Sequence, residues 1–237
     1  MKTFLTAVLA AAFGLNLSAA ELNPKKLALG DSPLRVEISR DGSITHYLNG
    51  QPVFSLMLQV HWIHFAYQSR NLQIAMQGKD TLRSAGSVAN IEFSSRTKLH
   101  SGRAETKYQL HLSKDNEFVS SKQWEVTPVF NMNTLKTMEN CTFSATCVNG
   151  EKLSGNIRDI VTFPGRVRRF TIHNIQGCDL ILEFPDGALC MDRRREAKSQ
   201  GLWFFVPAVM CDGSYPQKAG DRAVLRFNAE VKESIEK

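Results

Sequence analysis

The sequence predicts an all-β chain, a large antiparallel two-sheet β-sandwich of about a dozen strands. Three observations predict it. Apolar and polar residues alternate with period two from residue 34 to the end. Turn-forming dipeptides (Asp41-Gly42, Asn49-Gly50, Asp186-Gly187) punctuate the alternation. No long segment after the first twenty residues is periodic in the way of a helix. Successive side chains on a strand point to opposite faces, so such a pattern buries one face and wets the other. The length and strand number suit a large sandwich better than an immunoglobulin-like domain of about 100 residues.

The elements follow in order. "LRVEISR" places Leu34, Val36 and Ile38 on one face and Arg35, Glu37 and Ser39 on the other. Asp41-Gly42 and Asn49-Gly50 then read as hairpin turns, because both central residues of a type I′ turn need positive φ. "KYQLHL" puts Tyr108, Leu110 and Leu112 on one face; "RAVLRFNAEV" does the same for Ala223, Leu225, Phe227, Ala229 and Val231. In "CDLILEFPDGALCM" a two-residue turn at Asp186-Gly187 sets Phe184 opposite Leu189 and Leu182 opposite Met191, with Cys178 and Cys190 on opposite faces. "LWFFVPAVM" reads as a central strand.

Residues 1–20 read as a secretory signal: a basic start at Lys2, an apolar run from Phe4 to Leu17, and small residues ahead of Glu21. The run is shorter than the roughly 20 residues that span a bilayer. Residues 21–237 are therefore expected as one exported domain, periplasmic or extracellular, with no membrane span. Lys2 leaves with the signal, so the net charge falls from +6 to +5. That mild excess, without a concentrated basic stripe, argues against nucleic acid. "RVRR" at 166–169 and "DRRREAK" at 192–198 read as solvated turns, with contact to an acidic polysaccharide left open.

The five cysteines, Cys141, Cys147, Cys178, Cys190 and Cys211, leave at least one thiol unpaired. If Cys141 to Cys147 is one strand, their α-carbons lie about 20 Å apart, beyond disulfide reach. No CxxC or Cys/His spacing suggests zinc, and no cofactor is expected.

"HWIHF" at 61–65 is the stretch that most resembles chemistry. On a strand, residues three apart face opposite ways, so His61 and His64 cannot share one metal. Two readings remain: a central strand with each imidazole bonded to a neighbour, or His64 beside Trp62 on a sugar-binding floor. Trp124, on a mixed face with Phe118, Ser120, Lys122 and Val126, is a second candidate aromatic. Glu139 shares a face with Leu135, Cys141 and Phe143 in "LKTMENCTF" if that segment is a strand. It is then either a carboxylate raised toward acid–base work or a bulge residue reaching solvent. There is no nucleophile elbow, Gly-rich phosphate loop or HExxH motif, and no catalytic residue is assigned.

The rhythm of "DGSITHYLNGQPVF", "LILEFPDGALCM", "LWFFVPAV" and "RAVLRFNAEV" resembles galactose-mutarotase-like β-supersandwich domains of the kind attached to glycoside hydrolases. The resemblance covers essentially residues 21–237. It implies a non-catalytic carbohydrate-binding or glycoside-hydrolase-accessory role, with polysaccharide or oligosaccharide as ligand and a separate carbohydrate-active enzyme as partner. Epimerases on that fold carry an Asn-His motif; here no Asn-His dipeptide occurs and His173 precedes Asn174. The expected ligand-binding residues are Trp62, His64, Trp124, Arg193 and Arg194. The alternatives are an epimerase or lyase with a histidine acid and Glu139 or another carboxylate as base, and a structural envelope protein without a small ligand.

Overall fold

A computed structural model describes residues 26–30, 33–39, 41–60, 70–88, 91–115, 124–159, 162–194 and 201–234. Among them, fifteen strands and one short helix form two antiparallel sheets. Sheet A begins with β1 (Lys26–Leu29), β2 (Leu34–Ser39), β3 (Ile44–Leu48) and β4 (Gln51–Val60). It continues through β9 (Trp124–Phe130), β14 (Leu202–Pro207) and the second half of β13 (Cys178–Asp192). Sheet B holds β5 (Arg70–Gln77), β6 (Thr81–Val88), β7 (Ile91–His100), β8 (Arg103–Leu112) and β15 (Arg222–Glu233). The first half of β13 follows β15, and then come β12 (Val167–Ile175), β10 (Thr142–Cys147) and β11 (Lys152–Asn156). β1 lies against β5 and β6, so the ends of the long strand path meet. The all-β sandwich expected from the alternation is what the chain forms. No helix among the described residues is long and apolar enough to cross a membrane.

Alternation chose the faces correctly on most strands. Leu34, Val36 and Ile38, then Tyr108, Leu110 and Leu112, then Ala223, Leu225, Phe227, Ala229 and Val231 are all buried between the sheets. The centre is aromatic. Phe184 stacks on Phe204 with ring centroids 5.1 Å apart, Phe227 lies 5.6 Å from Phe184, and Phe54 lies 5.7 Å from Phe227. His46 stacks on Phe54 at 4.3 Å in the middle of this cluster.

The Asp186-Gly187 hairpin does not form. β13 runs on through this dipeptide as one strand of 15 residues, with Gly187 at φ 74 in a bulge opposite β12. Leu180, Leu182, Phe184, Ala188 and Cys190 are all buried, while Leu189 and Met191 are exposed. Even-numbered residues therefore face inward on both sides of the bulge, at Leu180, Leu182 and Phe184 and again at Ala188 and Cys190. Cys178 and Cys190 share that parity, contrary to the hairpin register, and stay apart because they lie twelve positions apart on one strand. The actual turn before β13 is Gln176-Gly177, with φ 52 and 79, the two positive values a type I′ turn requires.

Two further local expectations meet the structure. Residues Met132–Thr137 form a helix (α1), capped by Asn131, whose side chain accepts from the Thr134 amide at 3.0 Å. The "LKTMENCTF" strand is thus wrong in its first half, and Glu139 is exposed on the turn after α1. Thr142–Cys147 is a strand as supposed, and all five thiols are unbridged.

Gly201 fixes the approach of β14 to β9. A Cβ there would lie 1.9 Å from the Phe130 carbonyl oxygen. Gly201→Ala should therefore lower stability by about 1–3 kcal/mol, the usual range for forced overpacking, read as a fall in the urea midpoint at unchanged slope.

Candidate functional site

The outer face of sheet B carries the chemistry, and a bulge in β12 arranges it. Ile172 pairs with Leu180 and Ile175 with Cys178, so His173 and Asn174 together oppose the single residue Asp179. Asn174 takes φ 55, a left-handed value that asparagine tolerates better than most residues. The extra residue re-aims its neighbour, which is what bulges do beside functional sites. The Asp179 carboxylate bridges the bulge: Oδ1 accepts from the Asn174 amide at 3.0 Å, and Oδ2 lies 3.0 Å from His173 Nδ1. Ser234 near the C-terminus also donates its hydroxyl to Oδ1 at 2.8 Å.

The other ring nitrogen, Nε2, lies 2.8 Å from Ser144 Oγ on β10. Partial burial works against ionisation of Asp179, but the Asn174 amide, His173 and the Ser234 hydroxyl outweigh it and hold the carboxyl below the usual aspartate range. An ionised carboxylate can only accept, so Nδ1 donates to it, and in the neutral ring Nε2 is then the acceptor that faces the Ser144 hydroxyl. Ser144, His173 and Asp179 thus stand as hydroxyl, base and orienting carboxylate, in the roles by which such triads are recognised. The His173 side chain is 38% exposed, enough for a solute to reach it.

Cross-strand neighbours extend the polar face. Ser154 on β11 and Thr171 on β12 flank Ser144, and Thr142 pairs with Asn156 and His173. One row further along, Arg169 faces Glu183, which leads to Arg103 on β8. Arg103 donates to Glu183 at 2.8 Å, to Glu230 at 3.2 Å and to Glu105 at 3.2 Å. For Glu183 partial burial again opposes ionisation, and Arg103 overrides it, so its pKa lies below the usual glutamate range.

Of the residues singled out in the sequence, Arg193 and Arg194 lie away from this face. Trp62 and His64 fall outside the described residues. Trp124 opens β9 with its backbone opposite Val60 of β4; its side chain is likewise not among those described. The Arg193 guanidinium lies over the Trp203 indole, 5.2 Å from the ring centroid, on the outer face of sheet A. Arg194 turns inward. It donates to both carboxylate oxygens of Asp192 and to the carbonyls of Ile157, Arg158 and Asp159, which occupies all five of its N–H groups. Sequence reading passed over Ser144, His173 and Asp179 because the bulge that joins them leaves no periodic trace. The available signal was parity: Ser144 sits on the polar side of "TFSATC".

No family model matches the chain, and no curated protein matches it. Among solved structures, three of a glycoside hydrolase family 97 enzyme from Pseudoalteromonas sp. strain K8 share its fold at 12% identity. They are a single-residue variant and a complex with acarbose, each at TM-score 0.52, and a variant in complex with panose at 0.51. The match covers 88% of this chain and 36% of each enzyme chain, so the chain spans about a third of the length of the enzymes it resembles. At this identity the likeness is one of fold: a β-sandwich that also occurs within glycoside hydrolases.

Proposed function

We propose that the chain is an exported, galactose-mutarotase-like sandwich module that binds carbohydrate and works beside a separate carbohydrate-active enzyme. The reading is carried by one observation: the fold recurs as a portion of glycoside hydrolase family 97 enzymes. The outer face of sheet B supports it with polar side chains that solvent reaches, Asn156, Ser154, His173 and Arg169, of the kind that orient hydroxyl-rich ligands. Glycosidic cleavage by this face is disfavoured on electrostatic grounds. A glycosidase needs one carboxyl held protonated by a raised pKa, whereas Glu183 is shifted the other way by Arg103.

The test is affinity electrophoresis of the chain through gels holding neutral and acidic polysaccharides. Retardation by at least one class is expected, weakened about tenfold or more by Arg169→Ala, whose side chain is 48% exposed and therefore dispensable for folding. Trp62→Ala and Trp124→Ala set the tryptophans singled out in the sequence against this face as the binding surface. Loss of binding in those variants would move the binding surface to the tryptophans, and no retardation by any glycan would end the carbohydrate reading. N-terminal sequencing of the exported protein should begin at Glu21.

A further inference from the structure

We propose that Ser144 is an activated nucleophile for acyl esters, with His173 as its general base and Asp179 as the group that positions His173. The site stands on geometry alone: two consecutive hydrogen bonds of 2.8 and 3.0 Å, drawn from three strands and set by the Asn174 bulge. In the reaction, Ser144 Oγ attacks the ester carbonyl carbon and its proton passes to His173 Nε2. The tetrahedral adduct collapses, the C–O bond to the alcohol breaks, and the alcohol leaves with the proton from His173. Water, deprotonated by the same nitrogen, then releases the carboxylic acid and restores Ser144.

The surroundings limit the rate. Ser144 lies in mid-strand between Ser154 and Thr171, so the backbone N–H groups of residues 144 and 145 belong to the sheet ladders on its two sides. The developing oxyanion must rely on the hydroxyls of Ser154 and Thr171. Loss of a single well-placed oxyanion donor commonly costs about 100- to 1000-fold, so covalent capture should be easy to see and turnover slow. The substrate class, O-acyl esters of a saccharide, rests on the carbohydrate reading above; the nucleophile does not.

The experiment treats the full chain with an alkyl fluorophosphonate. Here the Ser144 Oγ–P bond forms, the P–F bond breaks, fluoride leaves, and His173 takes the serine proton. Mass spectrometry should find one equivalent on the peptide containing Ser144, formed about 100-fold or more faster than in the urea-unfolded chain. Ser144→Ala should abolish the label. His173→Ala, checked for folding by circular dichroism, should slow it about 100-fold, and added imidazole should restore part of the rate, which a purely structural histidine would not allow. Native labelling no faster than unfolded labelling overturns the proposal without recourse to any variant. So does labelling at full rate in folded His173→Ala, or labelling at Ser154 instead. Acetate release from an O-acetylated oligosaccharide tests the substrate class: labelling without release overturns the ester-on-saccharide assignment. Glycan retardation without labelling removes only the nucleophile, and labelling without retardation removes the carbohydrate reading and the saccharide-ester class with it while keeping the nucleophile.

Discussion

Arg194→Ala should unfold about 3–5 kcal/mol more easily than the native chain, the usual consequence of removing one partner from a buried ion pair. The Asp192 side chain is 1% exposed and that of Arg194 10%. The truncation therefore removes the guanidinium from a carboxylate that water cannot reach. It also strips donors from the three successive carbonyls of Ile157, Arg158 and Asp159, which tie the segment after β11 to the end of β13. Arg194→Lys should recover little of the loss, because an ammonium cannot reproduce the planar fork. Urea unfolding of the three proteins decides it. A loss below about 1 kcal/mol, the worth of an exposed pair, would mean that this contact is solvated.

The second large effect belongs to His46 and depends on pH. The imidazole is fully buried against Phe54 and Phe227, and neither ring nitrogen has a hydrogen-bond partner of normal geometry. Desolvation by this aromatic surround, eased slightly by the Ile44 carbonyl, lowers its pKa from 6.5 to about 3. In the unfolded chain the ring takes a proton below about pH 6.5, while in the native chain it does not until about pH 3. Between those values the unfolded state binds more protons, so stability falls as the solution is acidified. The loss attributable to His46 reaches about 2 kcal/mol by pH 5 and about 4 kcal/mol by pH 3. His46→Leu should flatten the upper part of that limb. The interval from pH 6.5 to 5 favours the effect, because Asp179 and Glu183, whose pKa values are depressed, begin to cost stability only nearer the ordinary carboxylate range, where the unfolded chain takes up their protons. Equal acid slopes for the two proteins would show that His46 can take up a proton in place.

Much of the fold was legible because burial is a period-two question. Wherever one face of a strand is dry, as in Leu34–Ile38 or Ala223–Val231, the sequence names the inward residues directly. It failed where two turns competed. Asp186-Gly187 is the stronger hairpin dipeptide, but Gln176-Gly177 makes the turn, because even parity buries Phe184, Ala188 and Cys190 together on one continuous, bulged strand. "LKTMENCTF" failed for a related reason: a capped six-residue helix is too short to show its own period. The candidate site was hidden more deeply. Nothing in "TIHNIQGCD" marks Asn174 as the extra residue, and without that bulge the register would not bring His173 to Asp179. Aromatic and arginine side chains drew notice for their type, yet Arg194 stabilises the interior while an ordinary-looking serine faces the base.

β13 belongs to both sheets, and this makes the sandwich a single cooperative unit. Its first half pairs with β12 and β15 and its second with β14, so neither sheet can complete itself until this one segment has docked in both. Amide exchange should accordingly be slowest at Leu180–Leu182, with no earlier step in which one sheet opens alone. Cutting the backbone beside Gly187 would divide the molecule into fragments that each lack half of a shared strand. Such fragments should be unable to fold separately but able to reassemble when mixed.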